Sequence, residues 1–541
     1  MSADQWIAAS VYLGDGRILR YGPDEADAEN QITSFSFDTS NPGGFGSASL
    51  TVPRPFGPSE WENYQNLFCR VVVYGAQGTI YDGYISGTPQ SGPYEVNLNL
   101  SGWVTVLDRY ETFREIFVDR DVSRWTDISR DLRIAQLATF NSIGGPTAET
   151  DTASALPALT LTTPATEVNP GMLAAYDAGA GNQVASIYYD ITSLSLATYT
   201  GNVGVMSDDK ATAVQQSADF LTGVNSAASG TFTPTVSYRY GLITFFLLGT
   251  VGAKDQSMTV RRLAVFGNHG LTKRGTAPDE GYFGSDVIAY AISQAPALTY
   301  SSDSIETTSF VIPHLTFTDD TSLRNVIEQV TALGGNQNVP NDWGVYEDKQ
   351  FYWRSPGTYG RSWRVRRDQV ASSASDGADA DRRVAGIKIN YTDGAGTNLS
   401  VGPPGSNSDY ETTSLLDTDL DNPAYRIPGA FKSESVGITT QQGAINIGTL
   451  ILNERNRLDW RGSIEIQGEA EDQNGNVYPA SLIRAGDRIV ISDSGDPTER
   501  TIVSTSYDHS SLTCSASIGA PPDSLESLLG QLAAVTDLIA S

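Results

Sequence analysis

Between Thr439 and Ile491 the hydrophobic period of the chain changes once, from helical to extended, and that change fixes what the stretch can become. Thr439 and Gln442 form a T-x-x-Q capping box, in which each side chain satisfies a backbone N–H left without a partner in the first helical turn. Ala444, Ile447, Ile451 and Leu458 follow at helical spacing, and Gly448 on the same stripe leaves room for a neighbour to come close. Trp460 and Gly462 end the helix. From Ser463 to Gly468, Ile464 and Ile466 alternate with polar residues, the period of a half-buried strand. Asn474-Gly475 signals a turn, and Ala485-Gly486-Asp487 opens a further strand through Ile489 and Ile491. A helix laid against a sheet is the arrangement these periods allow.

The rest of the chain is mostly strand and turn. Between Trp6 and Leu107, Thr33, Phe35 and Phe37 alternate with Ser34, Ser36 and Asp38. After the Asn41-Pro-Gly-Gly turn, Ala48, Leu50 and Val52 continue the pattern, and Val71, Val73, Ile80, Tyr84, Val96, Leu98 and Leu100 supply further apolar positions. These predict an antiparallel barrel or sandwich. A helix is predicted around SRDLRIAQLATF. The fifty residues after Asp151 are rich in Ala, Thr and Ser and nearly uncharged, and strand-like runs such as VASIYYDITSLSL and SMTVRRLAVFG follow them, predicting a small jelly-roll-like sandwich. Leu323, Val326, Ile327 and Val330 form the clearest helical stripe, ahead of an aromatic hairpin turning between Glu347 and Gln350 with Val345, Phe351 and Trp353 as packing residues. VAGIKINYTDGAG is expected to re-enter the sheet of the Thr439–Ile491 stretch, and residues 396–430 read as a long loop or arm. At the end, Leu525, Leu528, Leu532, Val535 and Ile539 recur at spacings of three and four, a heptad seam that needs either symmetry mates or its own domain to cover it.

With 541 residues, several domains are expected. Sixty-three acidic residues against 35 basic ones give a formal charge of −28, which argues against a surface built to hold nucleic acid by neutralising phosphates. The same acidity serves solubility, or would repel DNA from the wall of a conduit. Cys69 and Cys514 lie far apart in strand-like runs, where buried free thiols are expected. MSADQWIAASVYLGDG places no basic segment ahead of an apolar run, so no secretory signal is expected, and no apolar run is long enough to span a bilayer.

No motif for chemistry stands out. His269, His314 and His509 are isolated, and H-E-x-x-H, G-x-S-x-G, a Walker loop and C-x-x-C are absent. DAGAGNQV is a broken G-x-G-x-x-G with no strand-to-helix unit around it. Asp417, Asp419 and Asp421 have the early spacing of a calcium loop, but Pro423 and Pro428 occupy ligand positions. No catalytic residue, metal site or cofactor is implied. In the predicted sandwich, Tyr188, Tyr189, Tyr238 and Tyr240 are candidates to stack on a sugar ring, although tyrosines in alternating strands also serve as ordinary half-buried packing.

The helix, RGSIEIQG, the turn and VYPASLIRAGDRIVI together resemble the C-terminal part of baseplate hub proteins, also called minor tail proteins or tail-associated hubs, of long-tailed siphophage-type bacteriophages. FSFDTSNPGGFGSASLTVP and GTIYDGYISG are similar to hairpins of the first hub domain, and the helix followed by an aromatic hairpin is a further local match. The resemblance implies a mainly β, multidomain (α+β) chain with tube-like β-barrel domains, an inserted β-sandwich and a short C-terminal helix. The corresponding boundaries are a hub barrel over 1–145, the carbohydrate-binding-like insert over 146–272, a mixed α/β hub domain over 273–383, a second barrel over 384–520 and the helix over 521–541. It further implies a non-enzymatic homotrimer at the distal end of the virion tail, made in the host cytoplasm. Its partners would be the distal tail protein, the tape measure protein, receptor-binding or fibre proteins, a host surface glycan, and DNA in transit only. A polysaccharide-binding or polysaccharide-degrading β protein and a monomeric host adhesin are the alternatives the residues leave open.

Overall fold

In a computed structural model the chain is mainly β with four α-helices among the described residues, arranged as several sheets that make more than one domain. Residues 6–519 are described, apart from 23–30, 54–66, 88–89, 93, 121–123, 128–146, 150–157, 163–170, 195–198, 208–212, 217–219, 223–227, 248–256, 278–279, 310, 313, 318–319, 334, 336–339, 367–383, 393–397, 418–430, 439–440, 457–461 and 493–498.

The dominant sheet is a long antiparallel run. From one edge it passes through Ile18–Tyr21, Ile7–Tyr12, Arg70–Gly75, Gly78–Ile85, Glu95–Gly102, Gly43–Pro53, Ser34–Ser40, Arg500–Asp508 and Thr513–Ile518 to Gly462–Gln467. The alternation expected from sequence holds: Phe35 and Phe37 are 1% exposed, and Ile464 and Ile466 are equally buried. At Arg500–Asp508 the sheet forks. A second branch runs through Arg488–Ser492, Ser362–Arg366 in parallel, Glu469–Asp472 and Val477–Pro479. The N-terminal hairpin and the C-terminal strands therefore share one core, in which Leu50, Val71, Leu98, Trp363, Ile489 and Ile502 lie together. The expected barrels are open here. Among the described residues none of these sheets closes on itself, and Arg500–Asp508 is shared by both branches.

A second core joins Trp103–Arg109 to the helices Gly284–Ser293 and Leu323–Ala332 and to the hairpin Asp342–Val345/Phe351–Arg354. Ser322 caps the second helix by accepting from the Asn325 N–H (3.2 Å), and the predicted stripe Leu323, Val326, Ile327 and Val330 is buried. Buried tryptophans need an acceptor for the indole N–H. Trp353 finds Thr331 Oγ1 at 2.8 Å, Trp103 finds Asp82 at 2.8 Å and Trp363 finds Asp487 at 2.7 Å.

The helix Gln441–Asn456 packs on a separate four-stranded sheet of Tyr410–Glu411, Asn398–Gly402, Gly386–Thr392 and Phe431–Ile438. VAGIKINYT thus lies beneath the helix of the Thr439–Ile491 stretch and not in the sheet of its strands, and the expected arm 396–430 contributes two strands and a 3-10 turn before its remainder leaves the described residues. A Cβ on Gly448 would lie 2.6 Å from the Leu415 side chain and 2.9 Å from that of Ile389, so this glycine lets the helix approach, as its place on the stripe predicts. The predicted helix SRDLRIAQLATF, the cap Thr439 and the C-terminal helix lie outside the described residues.

The two cores meet where Asp342–Val345 pairs in parallel with the start of Gly43–Pro53, Gly344 opposite Gly43 and Val345 opposite Gly44. Gly44 has φ +95°, and a Cβ there would sit 2.2 Å from the Val345 carbonyl oxygen. Gly16 has a similar φ of +88° with nothing nearby. Gly16→Ala should therefore cost only the conformational term, roughly 1 kcal/mol, and Gly44→Ala at least about 3 kcal/mol. Urea unfolding of the two variants checks this, and equal midpoints would contradict it.

Candidate functional site

The sandwich and its seat on the body form the first region of interest. One sheet carries Trp125–Asp127, Gly171–Asp177, Tyr240–Leu247, Tyr199–Met206 and Ala213–Gln216. The other carries Thr147–Glu149, Ala158–Thr162, Ser257–Gly267, Val184–Leu194 and Ala228–Phe232. Ile116–Asp119 pairs with Ser257–Gly267 (Phe266 opposite Val118) and also with Leu315–Thr316 of the body, so one strand stitches the sandwich to the second core.

Polar groups reinforce the stitch. Asp119, 1% exposed, accepts from Arg124 Nη1 at 2.7 Å and from the Tyr176 hydroxyl, and burial beside this carboxylate pushes the Tyr176 phenol well up. Lys273 of the body donates to Ser186 Oγ of the sandwich, with its ammonium 3.9 Å over the Phe266 ring. Burial lowers the pKa of that ammonium. His269 sits among Phe117, Tyr282 and Tyr290, with ring centroids 4.8, 4.6 and 5.8 Å away, and burial lowers its pKa to about 4. Tyr290 in turn donates to Glu115 at 2.6 Å.

The second region is the crossing of the two cores. Asp82, 1% exposed, accepts from Arg70 Nε (3.0 Å) and Nη2 (2.5 Å), Trp103 Nε1 (2.8 Å) and the Asp348 N–H (2.9 Å). Asp487, 4% exposed, accepts from Trp363 Nε1, the Arg361 N–H (2.8 Å) and the Arg484 N–H (2.9 Å). Arg484 lies between the rings of Phe45 and Tyr346, at 5.0 and 5.1 Å, and pairs with Glu347 at 2.5 Å. It also donates to the Thr79 carbonyl at 2.7 Å. Four segments far apart in sequence are bound through these two carboxylates and two guanidinium groups. The sequence signal was an Arg and an Asp flanking Ala485-Gly486, which alone reads only as a turn.

The four sugar-stacking candidates are not brought to one face. Tyr188 and Tyr240 are buried, at 8% and 6% exposure, Tyr188 within the second core. Tyr189 lies opposite Gly230 and covers it: a Cβ on that glycine would meet the Tyr189 hydroxyl at 2.8 Å. Tyr238 is half-buried. Leu525, Leu528, Leu532, Val535 and Ile539 lie outside the described residues, as do Asp419 and Asp421. Of the histidines, His314 Nδ1 accepts from the Arg120 N–H at 3.3 Å and His509 lies 3.3 Å from the Tyr507 hydroxyl. Both cysteines are free thiols, and burial pushes Cys514 up to about 12. Among the described residues no three of His, Cys, Asp and Glu gather as a metal site, and no helix is long and apolar enough to cross a membrane.

No protein-family model matches the chain, and no curated protein matches it in sequence. Solved structures overlap it along most of its length. A tail protein from Neisseria meningitidis MC58 is 9% identical, with 96% of this chain and 97% of that chain covered at a TM-score of 0.40. The 43 kDa tail protein of prophage MuSo2 from Shewanella oneidensis is 7% identical, with 96% and 98% covered at 0.41. A prophage tail protein from Listeria monocytogenes EGD-e is 8% identical, with 98% and 99% covered at 0.37. At such identities and TM-scores the likenesses do not fix what this chain does.

His269 sets a pH dependence. Its folded pKa of about 4 lies below the usual 6.5, so the unfolded chain takes up the proton first as pH falls. The stability it contributes is complete above pH ~6.5 and is lost as pH falls toward ~4, on the order of 2 kcal/mol after allowance for its partial exposure. His269→Phe should flatten that part of the stability-against-pH curve, measured by urea unfolding from pH 7 to 4. An unchanged slope would contradict the cause.

Proposed function

We propose that the chain is a structural, non-catalytic component of a bacteriophage tail, and in finer detail a baseplate hub of which three copies close a ring at the distal end of the tail tube. The observation that carries this reading is the placing of the sheet edges. Among the described residues the long antiparallel run ends in Ile18–Tyr21 on one side and Gly462–Gln467 on the other. Strand edges expose rows of N–H and C=O groups that favour pairing with another chain, and a ring of copies covers them. Gly462–Gln467 is the core of RGSIEIQG, so a motif that carries the resemblance to phage hubs stands at an edge where a neighbour would dock.

In this reading the distal tail protein lies above the ring, the tape measure protein occupies the lumen before ejection, and receptor-binding or fibre proteins attach around or below. The work done is mechanical. Contacts between copies hold the tip closed, and their rearrangement lets the tape measure and DNA through. The net charge of −28 suits a wall past which DNA slides without sticking. The sandwich decorates the exterior, and of its four candidate tyrosines Tyr189 and Tyr238 are the two that a host glycan could reach. The heptad-like seam Leu525, Leu528, Leu532, Val535 and Ile539 adds a three-fold contact on the axis.

Light scattering over a dilution series tests the assembly. The full chain is expected at three chain masses, and a chain cut after Pro522 should dissociate at higher concentration. A trimer indifferent to the cut would remove the seam from the proposal and keep the ring, and a monomer at every concentration would count against the hub.

A further inference from the structure

A cavity of about 150 Å³ opens where the hairpin Asp342–Val345/Phe351–Arg354 meets the turn Arg484-Ala485-Gly486-Asp487, lined by Tyr346, Tyr359, Arg361, Leu482, Arg484 and Asp487. That is well above the roughly 10–15 Å³ a single water needs. Two of the lining residues, Tyr346 and Tyr359, belong to a stack of parallel rings with Tyr352. Tyr346 and Tyr352 are 5.7 Å apart at 4°, and Tyr352 and Tyr359 are 4.0 Å apart at 2°. Tyr359 stands at the open end of the stack, 37% exposed.

The charges around the cavity are not equivalent. Arg484 is committed to Glu347 and the Thr79 carbonyl, and both Asp487 oxygens already accept: Oδ1 from the Arg361 N–H, Oδ2 from Trp363 and the Arg484 N–H. Arg361 differs. Its guanidinium lies over the rings of Trp363 and Tyr478, at 5.8 and 5.2 Å, and meets no carboxylate among the described residues. An aromatic shelf holds the planar fork in place, which lowers the ordering cost of a bidentate contact. Arg361 also lines the cavity, and a guanidinium held in this way beside aromatic and aliphatic lining is matched by a carboxylate on a short apolar stem.

We propose that this cavity receives a single carboxylate from another polypeptide, an aspartate, a glutamate or a chain terminus on an otherwise uncharged segment, with its stem against Tyr359 and Leu482 and its charge on Arg361. Nucleic acid fits less well, because it would bring a run of phosphates onto a chain of net charge −28 while the cavity offers one uncommitted cation. The inference does not rest on the tail reading, since it concerns one pocket of a single chain.

The test uses the full chain and two dye-labelled hexapeptides read by fluorescence anisotropy at low salt. One ends in leucine and glutamate and the other in leucine and glutamine, both with an amidated terminus. The acidic peptide is expected to bind at least fivefold more tightly than the neutral one. Arg361→Gln should abolish that difference and Arg361→Lys should reduce it, while Arg17→Gln, on an exposed arginine that is paired with Asp15 and does not line the cavity, leaves it unchanged. Tyr359→Ala should weaken both peptides. Four results would overturn the proposal: no binding of the acidic peptide, equal binding of the two peptides, a difference that survives Arg361→Gln, or tighter binding of a short oligothymidylate than of the acidic peptide.

Discussion

Phe37 lies opposite Tyr507, and Thr39 lies opposite Thr505 with their hydroxyls 2.6 Å apart, a contact between residues separated by 466 positions. Closing a loop of that length costs about 5 kcal/mol beyond the cost of its first contact. The packing around the pair offsets it. The Phe37 ring lies 5.6 Å from Tyr507, 5.9 Å from Tyr81 and 6.2 Å from Phe45, and burying each such ring contributes about 2–3 kcal/mol. Once these strands pair, the fork of the sheet and the shared core follow from connectivity, and among the described residues the run ends at Ile18–Tyr21 and Gly462–Gln467.

Hydrophobic burial alone does not fix how the turns seat against that frame. Asp82 and Asp487 do so by accepting from backbone N–H groups of Asp348, Arg361 and Arg484 as well as from indoles and, at Asp82, a guanidinium. A buried carboxylate of this kind gains little over a well-packed apolar substitute, but losing one partner leaves an uncompensated charge, at about 3–5 kcal/mol. The geometry it enforces is therefore narrow. Asp487, which lines the cavity beside Tyr359, accepts from the backbone N–H groups of two further lining residues, Arg361 and Arg484.

Local features were legible in the sequence where a short-range rule governs them. Ile464 and Ile466 alternate because one face of their strand is buried, Gly448 marks a close approach, Asn474-Gly475 turns, and the stripe Leu323, Val326, Ile327 and Val330 is buried. Long-range pairing was not legible. Nothing in Ser34–Ser40 names Arg500–Asp508 as its partner, since many alternating strands would satisfy the same pattern. For the same reason VAGIKINYT was expected in the wrong sheet. The tyrosines of the sandwich illustrate a second limit. Period puts Tyr188 and Tyr189 on opposite faces but does not say which face is buried: Tyr188 packs in the second core, and Tyr189 covers Gly230 across the strand.

Translation gives the terminal pairing a schedule. At about 5–20 residues per second, Arg500–Asp508 leaves the ribosome roughly half a minute to a minute and a half after Ser34–Ser40. For that interval the opening hairpin carries an edge whose final partner does not yet exist. Its outward residues Ser34, Ser36, Asp38 and Ser40 are polar, and Asp38 accepts from Ser47 at 2.9 Å on the same hairpin. A polar, charged edge is a poor template for other nascent chains. The residues that look least informative in the finished sheet thus guard the chain during the wait for its own C-terminal strand.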